Sequence, residues 1–245
     1  IDMRIVLLSD IHANVTALQA VLEDINHIGS FDSVALLGDL VNYGPRPNET
    51  IDIVRNLPYP ITVNLWGNHE YSIFGGSLER FSTDRGRSVL KYTNELLTEE
   101  SRSFLLSKMN TKGYSENLVE YHPTLFVHGN RTDPYWGKLD LNEMQSDVYK
   151  NYDFVISGHS HIPHYVEHFY KDDNPCLRNK KRTVFINPGS VGQPRNHNPL
   201  AQYGILETNT CAYERRSVCY DIEKEQKLYD DRVDIFYRNR LKLGV

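Results

Sequence analysis

Seven side chains that can offer oxygen or nitrogen to a metal ion follow short apolar runs: Asp10, His12, Asp39, Asn68, His128, His159 and His161. Asp10-x-His12 and His159-x-His161 each carry two donors two residues apart. Alternate side chains of extended backbone share a face, so both members of a pair can point into one site. The donors are carboxylate, carboxamide and imidazole, with no thiolate. That mixture suits Mn²⁺, Fe or Zn²⁺ better than Ca²⁺ or a structural zinc. Two pairs and three single donors are enough for two divalent metal ions sharing one carboxylate, and Asp39 is the expected bridge. Two such ions about 3.5–4 Å apart clamp a phosphoryl group, supply a hydroxide near neutral pH and stabilise both the attacking and the leaving oxygen.

Each motif alone is ordinary. Gly38-Asp39 is a frequent turn dipeptide, and a single His after a strand is usually satisfied or exposed. Gly158-His159-Ser160-His161 is more specific, because two imidazoles at the end of the apolar run Phe154-Val155-Ile156 are hard to explain as core. The ordered set of five motifs, each after a strand-like run, points to one site. The other His of the ten, namely His27, His122, His164, His168 and His197, have no second donor at matching spacing and read as structural.

The elements that must position these donors are legible as alternating strands and helices. Ile5 to Leu8, Val34 to Leu37 and Phe154 to Ser157 read as buried strands. Ile61 to Leu65 is rich in β-branched residues and reads as a further strand. Val15, Leu18, Leu22 and Ile25 recur at helical spacing, with Asn14 as N-cap and Gly29 as stop. A short helix is expected over about Glu49 to Leu57. Residues 71–109 read as a helical cover with no linker, so residues 1–245 are expected to form one domain. Strands are expected on either side of His122-Pro123, followed by a helical stretch over Leu141 to Tyr149. Antiparallel strands are expected at Tyr165 to Tyr170, Thr183 to Asn187, Tyr203 to Leu206 and Cys211 to Tyr220. A helix over Asp221 to Asp231 and a basic tail follow. The class is α/β.

Composition sets outer bounds. Of 245 residues 40% are apolar and 24% charged, as in an ordinary globular chain. A formal net charge of -5 argues against stable nucleic-acid binding. Three separated Cys without a CxxC pair fit a reduced compartment rather than a disulfide framework. No apolar run reaches the length of a membrane span. Ile1-Asp2-Met3-Arg4 leads directly into strand-like sequence with no signal pattern, so the expected location is cytoplasmic.

Asp10-Ile11-His12, Gly38-Asp39, Gly67-Asn68-His69-Glu70, His128-Gly129 and Gly158-His159-Ser160-His161 resemble, in order and spacing, the motif set of the calcineurin-like metallophosphoesterases. Asn187-Pro188-Gly189-Ser190-Val191-Gly192-Gln193-Pro194-Arg195 further resembles the bacterial and archaeal phosphodiesterase branch of that family. The resemblance implies a four-layer α/β/β/α sandwich, two mixed sheets flanked by helices, with the metals at the strand ends. It implies that Asp10, His12, Asp39 and His161 hold one ion and Asp39, Asn68, His128 and His159 the other. His69 would stand beside the leaving group as proton donor or phosphate contact.

One departure bears on the substrate. Protein phosphatases of the family carry Gly-Asp-x-Val-Asp-Arg-Gly, whereas this chain has Gly38-Asp39-Leu40-Val41-Asn42-Tyr43-Gly44. Asn42 replaces the Asp that would orient and charge the His, and Tyr43 replaces an Arg that would grip a phosphomonoester dianion. A carboxamide does not stabilise an imidazolium as a carboxylate does, and Tyr offers no planar fork. Arg195, Arg131 and Arg46 are the replacement candidates. The expected activity is a metal-dependent phosphodiesterase acting on a small phosphodiester or nucleotide, with Mn²⁺ the metal to assay and catalysis resting on Asp39, Asn68 and His69. Asn42, Tyr43 and Arg195 are the expected substrate contacts. A dinucleoside polyphosphate hydrolase is the alternative, with Tyr43, Tyr135 and Trp136 as stacking platforms. A protein phosphatase or a non-catalytic scaffold is disfavoured, since this chain keeps all seven donors and His69.

Overall fold

In the first strand, β1 (Arg4–Leu8), Val6 and Leu8 point to one side and Ile5 and Leu7 to the other, and all four are buried. Burial on both faces is what a strand covered by two layers requires. The computed structural model describes residues 3–171, 173–176 and 180–245. Ile1 and Asp2, the start of the expected N-terminal lead, lie outside the described residues.

The elements follow in order: α1 (Val15–Ile28), β2 (Ser33–Leu36), α2 (Pro47–Arg55), β3 (Ile61–Asn64), α3 (Asn68–Ile73), α4 (Asp84–Leu96), α5 (Glu99–Ser107), β4 (Tyr114–Val119), β5 (His122–Val127), β6 (Phe154–Ser157), β7 (His164–Phe169), β8 (Arg182–Asn187), β9 (Ala201–Glu207), β10 (Ala212–Val218), α6 (Ile222–Gln226) and α7 (Ile235–Asn239). They build two five-stranded sheets, ordered β10-β9-β1-β2-β3 and β4-β5-β6-β8-β7. Both are mixed. β1, β2 and β3 run parallel, with β9 antiparallel to β1; β5, β6 and β8 run parallel, with β4 and β7 antiparallel at the edges.

Ile5, Leu7, Ala35 and Leu37 from the first sheet meet Phe126, Phe154, Ile156 and Ile186 from the second in a shared core. The opposite face of the first sheet packs Val6, Leu8, Val34 and Leu36 against Ala17, Leu18, Val21 and Ile25 of α1. Over the second sheet Leu125, Val127, Val155 and Phe185 are covered by Met144 and Tyr149. These come from 3-10 turns, Glu143–Gln145 and Asp147–Tyr149, where a helix was expected. The four layers are present, and this outermost one is thin.

Three further expectations change. The helical cover over residues 71–109 comes in separate pieces: α3 stops short of Gly75, at φ 104°, and Thr83 and Thr98 cap α4 and α5 by accepting from Gly86 N and Ser101 N. The first hairpin of the second sheet turns at Glu120 and Tyr121, with Glu120 at φ 54°, so His122-Pro123 belongs to β5 and pairs with Val119 and Leu118. The helix over Asp221 to Asp231 ends at Gln226, and α7 follows inside the supposed basic tail. Among the described residues, no helix is long and apolar enough to cross a membrane.

His164 opens β7 with its Nε2 buried and, among the described residues, without a hydrogen-bond partner, and burial lowers its pKa from 6.5 to about 4. Below its ordinary pKa the unfolded chain takes up a proton that the folded chain refuses. Its contribution is therefore neutral above that value and turns destabilising as the pH falls toward 4. Wild-type urea titrations at pH 7 and pH 5 should differ from those of His164→Leu by roughly 1–2 kcal/mol in pH sensitivity. Identical sensitivity in the two proteins would remove His164 from the acid lability.

Candidate metal centre and active site

The seven donors converge, but not by strand alternation. β1 and β6 end before the donors begin, and Asp10, His12, Asp39, His159 and His161 all have φ between 50° and 64°. Asn42 and Tyr43 follow at 75° and 63°. Left-handed backbone costs an L-residue about 1 kcal/mol or more. The loops hold it with cross-loop bonds: Asp10 N donates to Gly38 O at 3.1 Å, His12 N to Asp39 O at 3.0 Å and Gly192 N to Asp10 O at 3.1 Å. Each donor is thus turned back toward the strand ends instead of following the sheet.

Two groupings result. Asp10, His12, Asp39 and His161 offer ligand atoms all within 4.8 Å of one another, as do Asp39, His128 and His159. The distances are His161 Nε2 to Asp10 Oδ1 3.2 Å, His12 Nε2 to Asp39 Oδ2 3.7 Å and His128 Nε2 to Asp39 Oδ2 3.3 Å. Asn68 Oδ1 lies 3.1 Å from His128 Nε2 and 3.0 Å from His159 Nδ1, so the carboxamide joins the second group. Asp39 belongs to both.

This set fits divalent ions on its own chemistry. Among the described residues, Asp10 Oδ1 and Asp39 Oδ2 are buried with no hydrogen-bond partner, although their companion oxygens are satisfied. A buried carboxylate oxygen left bare is costly unless a cation meets it. The imidazoles are aimed to match. His12 Nδ1 lies 3.2 Å from Val41 O, His128 Nδ1 2.7 Å from Leu37 O and His161 Nδ1 2.6 Å from Gln193 O. Each backbone carbonyl takes the Nδ1 proton, which leaves Nε2 as the inward lone pair of the neutral ring.

Electrostatics agree. Burial opposes ionisation of Asp39, yet His128 and His69 outweigh it and hold the carboxyl well below its usual range; Asp10 is held low in the same way, chiefly by His161. Burial drives His12 and His161 down, His69 to about 4 and His159 to about 3. His128 is the exception: burial disfavours its charge, but Asp39 overrides it and raises the pKa to about 9.

Behind these donors stand residues that the sequence did not single out. Glu70, fully buried, accepts from Asp39 N at 2.9 Å, Gly67 N at 2.8 Å and Val41 N at 3.1 Å, which ties the start of α3 to the Asp39 loop. Burial, then the nearby Asp39, pushes its pKa up to about 7. Gly67 is required where it stands, since a Cβ there would lie 2.0 Å from Asp39 Oδ1. Ser9 Oγ and His159 N donate to Asp10 Oδ2 at 2.5 and 3.1 Å.

A cavity of about 380 Å³ opens beside the donors, with Asp39, Asn68, His69, His159 and His161 in its wall. Tyr43 and Arg195 both line it, and burial raises the pKa of the Tyr43 hydroxyl although the Arg195 charge opposes the shift. The other two arginines are elsewhere. Arg46 pairs with buried Glu225 and with Thr16, and Arg131 lies 3.2 Å from Glu116. Asn42 sits behind His69, outside the cavity wall. Of the stacking candidates Trp136 lines the cavity, while Tyr135 stacks on Tyr71 and donates to Thr111 O. Arg80, Phe81, Lys138 and Tyr237 also line it, with the 82–86 segment between them. Tyr237 comes from α7 and stacks on Tyr43 at 4.6 Å. Five residues are too few for helical periodicity to reveal such an element.

Residues 3–211 match the calcineurin-like phosphoesterase superfamily domain. An uncharacterized protein of Methanocaldococcus jannaschii is 32% identical over 251 residues, covering 100% of this chain and 99% of that protein. The phosphodiesterase YfcE of Escherichia coli K12 is 22% identical, covering 84% of this chain and 89% of its own length. A crystal structure of a metallophosphoesterase from Sphaerobacter thermophilus superposes with a TM-score of 0.78 at 28% identity, covering 100% of both chains. The match along the chain and the clustered Asp and His donors agree: this chain belongs to the calcineurin-like phosphoesterase superfamily and is a phosphoric ester hydrolase.

Proposed function

We propose that this chain is a phosphodiesterase working with two divalent metal ions, Mn²⁺ being the metal to assay, in a reduced cytoplasmic setting and as one domain. The observation that carries the reading is the pair of bare buried carboxylate oxygens, Asp10 Oδ1 and Asp39 Oδ2, ringed by imidazole nitrogens. Asp10, His12, Asp39 and His161 are assigned to one ion. Asp39, Asn68, His128 and His159 are assigned to the other. Together the ions would supply Lewis-acid charge and a water of lowered pKa. Asn68 and His69 face the cavity and stabilise charge that develops on the phosphoryl group. Arg195, in the cavity wall with Tyr43, supplies the positive charge toward a substrate oxygen that the loop after Asp39 lacks. The packed rings of Phe81 and Trp136, 5.0 Å apart, shield one side of the cavity from water.

The diester preference follows from Asn42 and Tyr43, which provide neither a carboxylate for His69 nor a fork for a dianion. The full chain, stripped of metal and resupplied with Mn²⁺, is expected to hydrolyse bis-p-nitrophenyl phosphate at least about tenfold faster than p-nitrophenyl phosphate, a difference of about 1.4 kcal/mol in the barrier. Faster monoester turnover, or turnover that ignores added metal, overturns the reading. Trp136 beside Lys138 and Arg80 favours a second reading, a dinucleoside polyphosphate as substrate, since an aromatic face and extra cations suit a base and further phosphates. Diadenosine tetraphosphate assayed beside the simple diester separates the two.

A further inference from the structure

Thr93 lies in α4, fully buried, and its hydroxyl donates to Asn42 Oδ1 at 2.9 Å. On the other end of that carboxamide, Nδ2 meets His69 Nδ1 at 2.5 Å. The three side chains form a line from the helix to the cavity, and His69 Nε2 is at its open end, 3.8 Å from Asp39 Oδ2.

The direction of the hydrogen bonds along this line decides where the His69 proton sits. A carboxamide can be turned end for end, so the hydroxyl must settle its sense. Among the described residues the Thr93 hydroxyl has one acceptor, Asn42 Oδ1. Reversing the amide would aim N–H at the hydroxyl oxygen and leave the hydroxyl proton buried without an acceptor. With the amide as placed, both bonds are made: Thr93 O–H to Asn42 Oδ1, and Asn42 Nδ2–H to His69 Nδ1. A ring that accepts at Nδ1 carries its proton on Nε2 when neutral. The ring cannot swing away, because it is wedged between Tyr43 at 4.6 Å, His12 at 4.9 Å and Phe81 at 5.1 Å.

We infer that Thr93 is a positioning residue that, through Asn42, holds His69 as the Nε2–H tautomer, so that His69 gives the substrate a hydrogen bond and keeps its proton. Giving up that proton would leave an imidazolate whose other nitrogen already accepts from Asn42. The balance of the step follows. The oxygen of a water molecule forms the new bond to phosphorus and that water gives a proton to solvent; the bond from phosphorus to the leaving oxygen breaks, the leaving oxygen takes the electron pair, and any proton it gains comes from solvent water and not from His69. The substrate class is therefore one whose leaving group is stable as an anion, a phosphate or an aryl oxide, in preference to an alkoxide. This substrate statement rests on the phosphodiesterase reading. The tautomer statement does not.

The test has two arms. In the first, the full chain is labelled with ¹⁵N at histidine, kept free of metal, and the long-range ¹H–¹⁵N couplings of His69 are read. Wild type is expected to show the Nε2–H pattern, Thr93→Val a loss of that pattern to a mixture, and Thr93→Ser its return. A proton on Nδ1 in wild type, or a Thr93→Val spectrum like wild type, overturns the inference. In the second arm, with Mn²⁺, a series of aryl phosphodiesters of rising leaving-group pKa is assayed. Wild type is expected to slow steeply along the series. Asn42→Asp, whose carboxylate accepts from Nδ1–H and supports an imidazolium, is expected to flatten the slope; equal slopes overturn the substrate statement. Thr93→Val should lose about tenfold in kcat with KM unchanged, the worth of one ordinary hydrogen bond, and Thr93→Ser should recover it. Should no diester be hydrolysed, the phosphodiesterase reading falls, while the spectra of the first arm still decide the tautomer.

Discussion

Asp39→Asn is expected to lower turnover of bis-p-nitrophenyl phosphate by roughly a thousandfold or more, since a shared metal clamp contributes several kcal/mol to the barrier. The residue stands at the crossing of both donor groups: Oδ2 lies 3.3 Å from His128 Nε2, 3.7 Å from His12 Nε2 and 3.8 Å from His69 Nε2. Its other oxygen is already committed, accepting from His69 N at 3.0 Å. Asn keeps the shape and loses the charge, and either its oxygen leaves His69 N or its NH₂ faces the imidazoles. Both outcomes remove the one ligand that two ions can share. Calorimetric titration with Mn²⁺ should then show one weak site in place of two. Unchanged turnover in this variant would sink the bridging assignment.

Glu70→Gln should cost about 1–3 kcal/mol of folding free energy, because even in its better orientation the amide leaves the buried Val41 N–H facing an NH₂. The carboxylate serves three backbone N–H groups with two oxygens, whereas glutamine has one carbonyl. Oε2 holds Asp39 N and Gly67 N together where Gly67 and Asp39 touch most closely, and a glutamine keeps that pair only by turning its NH₂ onto Val41 N, which pushes the Asp39 loop away from α3. Activity should fall along with stability, because the displaced segment carries Asp39, Asn68 and His69. Urea denaturation and diester turnover measure both. A variant that unfolds at the same urea concentration and keeps its rate would show that Glu70 does not pin the loops.

These two residues mark what was legible in the sequence and what was not. Asp39 was visible, because an ionisable side chain after a buried apolar run has few explanations, and four similar places in order narrowed them further. The strands were legible for the same reason: Ile5 to Leu8 and Phe154 to Ser157 are apolar on every residue, as burial on both faces demands. Glu70 sat within a quoted motif, but its role depends on backbone N–H groups of Asp39 and Val41 about thirty residues earlier, and no local pattern encodes that. Thr93 was one apolar-compatible residue in a helix whose start, at Thr83, was itself missed. The cover over residues 71–109 is helical, but its division into α3, α4 and α5 was not marked out, and the first break comes where Gly75 takes a left-handed turn. The donor pairs were found by an argument from strand alternation, whereas the backbone reaches the same convergence through left-handed turns. Spacing survived that error because the loops nonetheless bring both members of each pair to the donor groups around Asp39.

The donors come from both sheets. Asp10, His12, Asp39 and Asn68 follow β1, β2 and β3, and His128, His159 and His161 follow β5 and β6. Between the sheets lie side chains such as Leu7, Leu37, Phe126 and Ile156, whose contacts have no direction. Two greasy slabs in register by shape alone can slide by fractions of an ångström at little cost. At the strand ends the contacts are directional: His128 Nδ1 to Leu37 O at 2.7 Å and His159 N to Asp10 Oδ2 at 3.1 Å cross from one sheet to the other. The donor cluster is thus also the alignment key of the sandwich. Repacking at Phe154, at the far end of β6 from His159, would reach the chemistry as a lateral offset between halves, with every donor still present and the spacing wrong.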